Sequence, residues 1–162
     1  MTVNKNALEP RALRRVFAAH PSGVTVVAGL VNGLPVGLAA STFVPVSLDP
    51  PLVSACVART STTWPALRDA PAIGVSVLGA HQEDIGRRVG ARTGDRFAGV
   101  SWRAATDGAV LLDGAVAAFE CTIDRHVDAG DHEIVLLAIR EHEHTDDLAP
   151  LVFHGSRYRA LA

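Results

Sequence analysis

The chain has 162 residues, 48% of them hydrophobic and 20% charged, with a formal net charge of −2. That length is one domain, with a core expected over about residues 10–160, and it buries roughly 70% of the unfolded surface without a disulfide or metal staple. The charge argues against a nucleic-acid domain, and no window approaches the ~18 continuous apolar residues of a membrane span. The basic residues are lopsided in kind: Lys5 is the only lysine, and the rest are arginine. Met1 to Arg15 mixes charges and lacks the apolar core of a signal peptide, so the expected setting is cytoplasmic. Cys56 and Cys121 are too few for a disulfide framework and too far apart for a zinc knuckle.

A helix is expected from about Glu9 to Ala19. Pro10 suits its first turn, and Leu13, Val16 and Phe17 recur at helical spacing. Strands follow. Val24 to Ala28 and Val36 to Ala40 flank Asn32-Gly33, the strongest short cue for a hairpin. Phe43 to Leu48 is interrupted by Pro45, Asp49-Pro50-Pro51 makes an extended turn, and Leu52 to Ala58 reads as a buried strand. Ser61-Thr62-Thr63 caps a short helix with Pro65 in its first turn. Ala72 to Leu78 is a strand, His81 to Val89 a polar helix, and Ala91 to Gly114 a loop rich in Gly and Asp. Two long strands, Ala115 to His126 and Glu133 to Glu143, surround a turn at Gly130. Leu151-Val152-Phe153 and Arg157-Tyr158-Arg159 flank a closing turn. About seven strands with few helices point to a barrel or sandwich. The lack of alternating β and α units excludes a doubly wound sheet.

Familiar catalytic signatures are missing: there is no G-x-G-x-x-G after a strand, no phosphate-binding P-loop and no G-x-S-x-G elbow. His142 and His144 would share a strand face and could bind a metal with a third ligand, but their place before Thr145-Asp146-Asp147 fits a solvated strand end better. His132 follows the Gly130-Asp131 turn, where a side chain either faces a cleft or is merely exposed. Small residues in Leu38-Ala39-Ala40-Ser41-Thr42-Phe43 either let a flat ligand approach the backbone or mark an ordinary strand end. Ser61-Thr62-Thr63 is a candidate phosphate nest or a plain helix cap, and Arg96 a phosphate partner or an exposed charge.

Taken in order, these segments resemble the flavin reductase family, the small NAD(P)H:flavin oxidoreductases of two-component monooxygenases. The resemblance runs through Pro21 to Val27, Gly37 to Phe43, Val46-Ser47-Leu48-Asp49-Pro50-Pro51-Leu52-Val53 and Ser61-Thr62-Thr63. It continues through Asp95-Arg96-Phe97, Val127 to His132 and Pro150 to Tyr158. The chain departs from the family's pattern at Leu78-Gly79 and Val89-Gly90.

The resemblance implies a mainly β fold, a Greek-key split β-barrel of the FMN-binding type, assembled as a homodimer. It implies FMN or FAD as flavin, NADH or NADPH as hydride donor, and a monooxygenase partner that receives reduced flavin. Carried over by position, Ala39, Ala40, Ser41 and Thr42 contact the flavin ring and its side chain, and Asp49 and Pro50 shape the ring pocket. Ser61, Thr62 and Arg96 lie at the phosphate tail, Tyr158 at the closing edge, and His132 on the nicotinamide side as the catalytic candidate. Both reactive atoms then belong to cofactors, which accounts for the missing catalytic signatures.

Overall fold

The computed structural model describes residues 8–162. The reading of the N-terminus as free of a signal peptide falls partly on residues 1–7, outside the described residues.

Helix α1 (Pro10–Phe17) starts with proline in its first turn and carries Arg14 and Arg15 in its last, where cations suit the helix dipole. The expected apolar face is only partly covered among the described residues: Leu13 is half-buried, whereas Val16 and Phe17 are 66% and 68% exposed. Strand β1 (Ser22–Gly23) leads into the β2 (Thr25–Val31) and β3 (Leu34–Ala40) hairpin. Asn32 and Gly33 have φ of 51° and 77°, the two positive values a type I′ turn requires.

Strand β4 (Val44–Leu48) pairs antiparallel with β5 (Pro51–Ala58). Pro45 does not end β4. It lies on an edge strand, where a missing N–H is tolerated, and the register slips between Pro45 and Ser47. Helix α2 (Trp64–Leu67) precedes β6 (Ile73–Val77), and α3 (Glu83–Val89) follows a 3-10 turn at Ala80–Gln82. The stretch expected to be loop contains a small hairpin, β7 (Trp102–Ala104) and β8 (Val110–Leu112). Each strand is too short to show a period, but β8 is buried and presses its Val110 backbone against Gly74, where any Cβ would collide.

The long strands β9 (Ala117–Ala129) and β10 (His132–His144) turn at Gly130, whose φ is 65°. Their register shifts twice, and such bulges sharpen the local twist. The hairpin of β11 (Leu151–His154) and β12 (Arg157–Ala160) closes the chain, with β1 on its edge.

The main sheet is antiparallel, seven strands in the order β3-β2-β6-β9-β10-β5-β4. The fold is mainly β, a large twisted sheet of the split-barrel kind with a few short helices. Alternation along β2 feeds both faces: Val27 packs with Val53, Ile73, Val75 and Leu137, while Val26 and Ala28 pack with Leu78, Val89, Phe97 and Leu112. No helix among the described residues is long and apolar enough to cross a membrane.

Candidate functional site

The sheet leaves β3 and β4 as its edges. A cavity of about 590 Å³ opens between β3 and β5, walled by Leu38, Ala39 and Val57 and closed on one side by Val89 and Gly90 at the end of α3. Opposite this apolar strip stand four hydroxyls, Thr60 to Thr63, and the guanidiniums of Arg92 and Arg96. None of the lining residues is a carboxylate. Because β3 is an edge, alternate backbone N–H and C=O groups on its outer side have no strand partner.

The Gly94-Asp95-Arg96-Phe97 segment explains how Arg96 is aimed. Gly94 takes a φ of 89°, the Asp95 carboxylate accepts the Phe97 N–H at 3.0 Å, and the Phe97 ring is buried in the core. Arg96 then donates from one terminal nitrogen to the Gly37 carbonyl at 3.2 Å and to Thr63 Oγ1 at 2.9 Å. The strand passes close enough because residue 37 is glycine: a Cβ there would lie 2.8 Å from the Val27 carbonyl oxygen and 2.9 Å from the Phe97 ring.

Ser61 accepts the Trp64 N–H at 3.1 Å, and α2 is four residues long, so this hydroxyl is spent on starting the helix. Thr62 is exposed beside it on the cavity wall. Ser61, Thr62 and Arg96 are therefore brought together with Ala39 in one cavity.

Two smaller cavities continue past the end of β3. One of about 140 Å³ is lined by Ala39, Ala40, Ser41, Phe153 and Tyr158, and another of about 420 Å³ by Arg14, His20, Ser41, Thr42 and Phe153 among others. Tyr158 packs edge-on to Phe153 with 5.4 Å between ring centroids, and Arg87 lies 4.9 Å over its ring. Burial pushes the Tyr158 hydroxyl up from its ordinary value. Thr42 Oγ1 is held by the backbone of Cys56, accepting its N–H at 2.9 Å and donating to its carbonyl at 3.2 Å.

His132 opens β10 opposite Ala58, a residue of the large cavity's wall. Its Nδ1 lies 2.7 Å from the Asp131 carboxylate, and this hydrogen bond, with the imidazole's charge, holds Asp131 below the usual carboxylate range. Arg14, on the 420 Å³ cavity, adds to that lowering. Neither Asp131 nor His132 lines either cavity, although each has a neighbour on one of the two walls. Asp49 and Pro50 sit apart, exposed in the turn between β4 and β5 and outside these cavities.

Thr63, part of the hydroxyl run expected to meet phosphate, lines the large cavity, and so do Thr60, Arg92, Gly90 and Cys56, which the sequence does not single out as site residues. Thr60 simply precedes the Ser61-Thr62-Thr63 run, but Arg92 carries no local signal and becomes visible only through the fold. His142 and His144 lie on the exposed end of β10, with His144 Nδ1 3.3 Å from Asp146. Among the described residues no group of three or more His, Cys, Asp or Glu is arranged to hold a metal.

An apolar wall with a free strand edge, facing hydroxyls and two guanidiniums, suits a planar heterocycle with an anionic tail. The donor set therefore fits a flavin nucleotide.

The Flavin reductase like domain family matches residues 17–162. A reductase subunit of a flavin-dependent monooxygenase, HsaB of Rhodococcus jostii, is 32% identical over 98% of this chain and 82% of its own length. The actinorhodin polyketide dimerase of Streptomyces coelicolor is 37% identical over 96% of this chain and 88% of its own. The NADH:FAD oxidoreductase SgcE6 of Streptomyces globisporus, solved with NAD and FAD fragments, superposes with a TM-score of 0.91 at 37% identity, covering 100% of this chain and 97% of that one. With the family matched over most of its length and the large cavity carrying the donors a flavin nucleotide needs, the chain belongs to the flavin reductase-like domain family.

Proposed function

We propose that this chain works as a single-domain flavin reductase, a homodimer that takes hydride from NADH or NADPH to FMN or FAD and passes reduced flavin to a separate monooxygenase. The observation that carries the reading is the large cavity, with its apolar wall on β3 and β5 and its hydroxyl and guanidinium wall opposite. When bound, the flavin supplies the acceptor for the hydride of a reduced nicotinamide. The chain's residues have only to position and to exclude water. Ala39 and Ala40 keep the strand edge low beside the ring, Ser41 adds a hydroxyl, and Thr42 fixes the junction to β5. Thr62 and Arg96, with Ser61 holding the turn, receive the phosphate tail. Tyr158 closes the far end of β3. His132 faces the donor, where Arg14 brings a second positive charge near the same turn. Asp49 and Pro50 reach the ring pocket only across a subunit interface, since in one chain they stand clear of it.

Dimerisation is supported by uncovered apolar surface. Val44, Val46 and Leu48 of edge strand β4 are 52%, 48% and 96% exposed, and α1 leaves Val16 and Phe17 bare. An edge strand with such a face needs a cover. A cytoplasmic setting accords with two free cysteines, one of them half-exposed.

The test is steady-state oxidation of NADH and NADPH with FMN, FAD and riboflavin as acceptors. Turnover that depends on added flavin and needs no organic substrate supports the proposal. The similarity to the polyketide dimerase favours a second reading, a flavin enzyme acting on a polyketide. Aerobic conversion of such a substrate without a partner would establish that reading instead. Light scattering on the purified chain tests the dimer.

A further inference from the structure

The two guanidiniums of the large cavity are held differently. Arg96 is half-buried and pinned by Gly37 and Thr63, while Arg92, in the loop after α3, is exposed at the rim and has no hydrogen bond or ion pair among the described residues. Arg59, Arg87, Arg103 and Arg125 each pair with a carboxylate, whereas the wall of this cavity offers none. An uncompensated pair of cations, one inside and one at the mouth, matches an anion that runs outward along the wall.

FMN and FAD carry similar total charge but place it differently. FMN ends at its one phosphate. FAD carries a second phosphate further from the ring, where the ligand must leave the cleft. Resting on the flavin reading above, we propose that Arg92 binds the second phosphate and makes the site selective for FAD over FMN, while Arg96 serves the first phosphate common to both. Arg92 is fit for this because its guanidinium stands exposed on the loop from Ala91 to Asp95, which turns at Gly94, with a long side chain and a planar fork that suits phosphate.

The flavins form a ladder of zero, one and two phosphates, so binding measured by quenching of flavin fluorescence separates the two roles without any turnover. The wild-type chain should bind FAD more tightly than FMN, and FMN more tightly than riboflavin. Arg92→Gln should weaken FAD binding by roughly five- to twentyfold and FMN by less than about twofold, so that the two nucleotides become nearly equal. Arg92→Lys, which keeps the charge, should recover most of the FAD preference. Arg96→Gln should weaken both nucleotides and compress the gap between FMN and riboflavin. The proposal is overturned if Arg92→Gln weakens FMN as much as FAD, or leaves both unchanged. A wild-type chain that binds none of the three flavins would overturn the functional reading itself, a result distinguishable from either.

Discussion

Thr42 continues a strand ladder with its side chain. Strands β4 and β5 pair as far as Val44 opposite Ser54, and two residues further along Thr42 meets Cys56. There the threonine hydroxyl takes both roles of the missing backbone partner, accepting the Cys56 N–H at 2.9 Å and donating to its carbonyl at 3.2 Å. Cys56 lines the large cavity and Thr42 the 420 Å³ cavity, so this clasp ties a residue of one wall to a residue of the other. A residue expected only to touch the ligand also anchors the segment after β3 to β5.

Thr42→Val should therefore lose stability as well as ligand affinity. Two hydrogen bonds at about 0.5–1.5 kcal/mol each bound the loss, and partial exposure keeps it toward the lower end. Thr42→Ser retains the hydroxyl and should behave nearly as wild type. Urea denaturation of the three proteins measures this, and equal midpoints would show that the clasp holds nothing.

Cys121 makes a prediction at high pH. It is fully buried beside Ile73 and Leu137, and burial, with a smaller effect of Glu120, pushes its thiol from 9.0 up to about 12. In the unfolded chain the thiol ionises near its ordinary value, so above that pH the unfolded state binds fewer protons. The stability this thiol contributes is complete below about pH 9 and is lost as pH rises toward 12, with a slope of up to about 1.4 kcal/mol per unit. Cys121→Ala should lower stability at neutral pH through its cavity but decline less steeply above pH 9. Parallel alkaline slopes for the two proteins would contradict this.

His132→Ala should raise the KM for the nicotinamide donor with flavin affinity nearly intact. It should lower kcat/KM by roughly ten- to a hundredfold, about 1.4–2.8 kcal/mol of transition-state stabilisation. The variant also strips Asp131 of the partner that lowers its pKa. A lowered carboxylate contributes stability above its ordinary value near 4, and that contribution fades as pH falls through the lowered value. The difference in melting temperature between wild type and variant should therefore shrink on acidification below about pH 4. Wild-type kinetics in the variant would remove His132 from the site.

Much of the fold was legible because its cues are local. Asn32-Gly33 specified a hairpin through the positive φ values that only such residues adopt readily, and Gly130 marked the long hairpin for the same reason. The apolar spacing of α1 is present, but periodicity cannot say what covers it, and among the described residues Val16 and Phe17 remain exposed. The β7–β8 hairpin was missed because three-residue strands carry no period and are held by non-local contacts, such as the Ser76 hydroxyl accepting the Leu112 N–H at 2.9 Å. The site was legible as a set of types rather than as a geometry. Small residues at 39–42 and hydroxyls at 61–62 could be placed on strand and helix ends, yet the cavity exists only because β3, β5 and the loop at 92–96 converge from distant parts of the chain. Arg92 and the double duty of Thr42 belong to that convergence and leave no trace in spacing.

On the proposed function, this cavity brings a flavin to a reduced nicotinamide with no other substrate. The most direct test of this is anaerobic mixing of the purified chain with excess NADH and FAD or FMN, following the flavin's visible absorbance. Many equivalents of flavin should bleach per chain, one NADH consumed for each, with Arg96→Gln slowing the reaction at low flavin concentration. Flavin that binds but keeps its colour while NADH persists would contradict it.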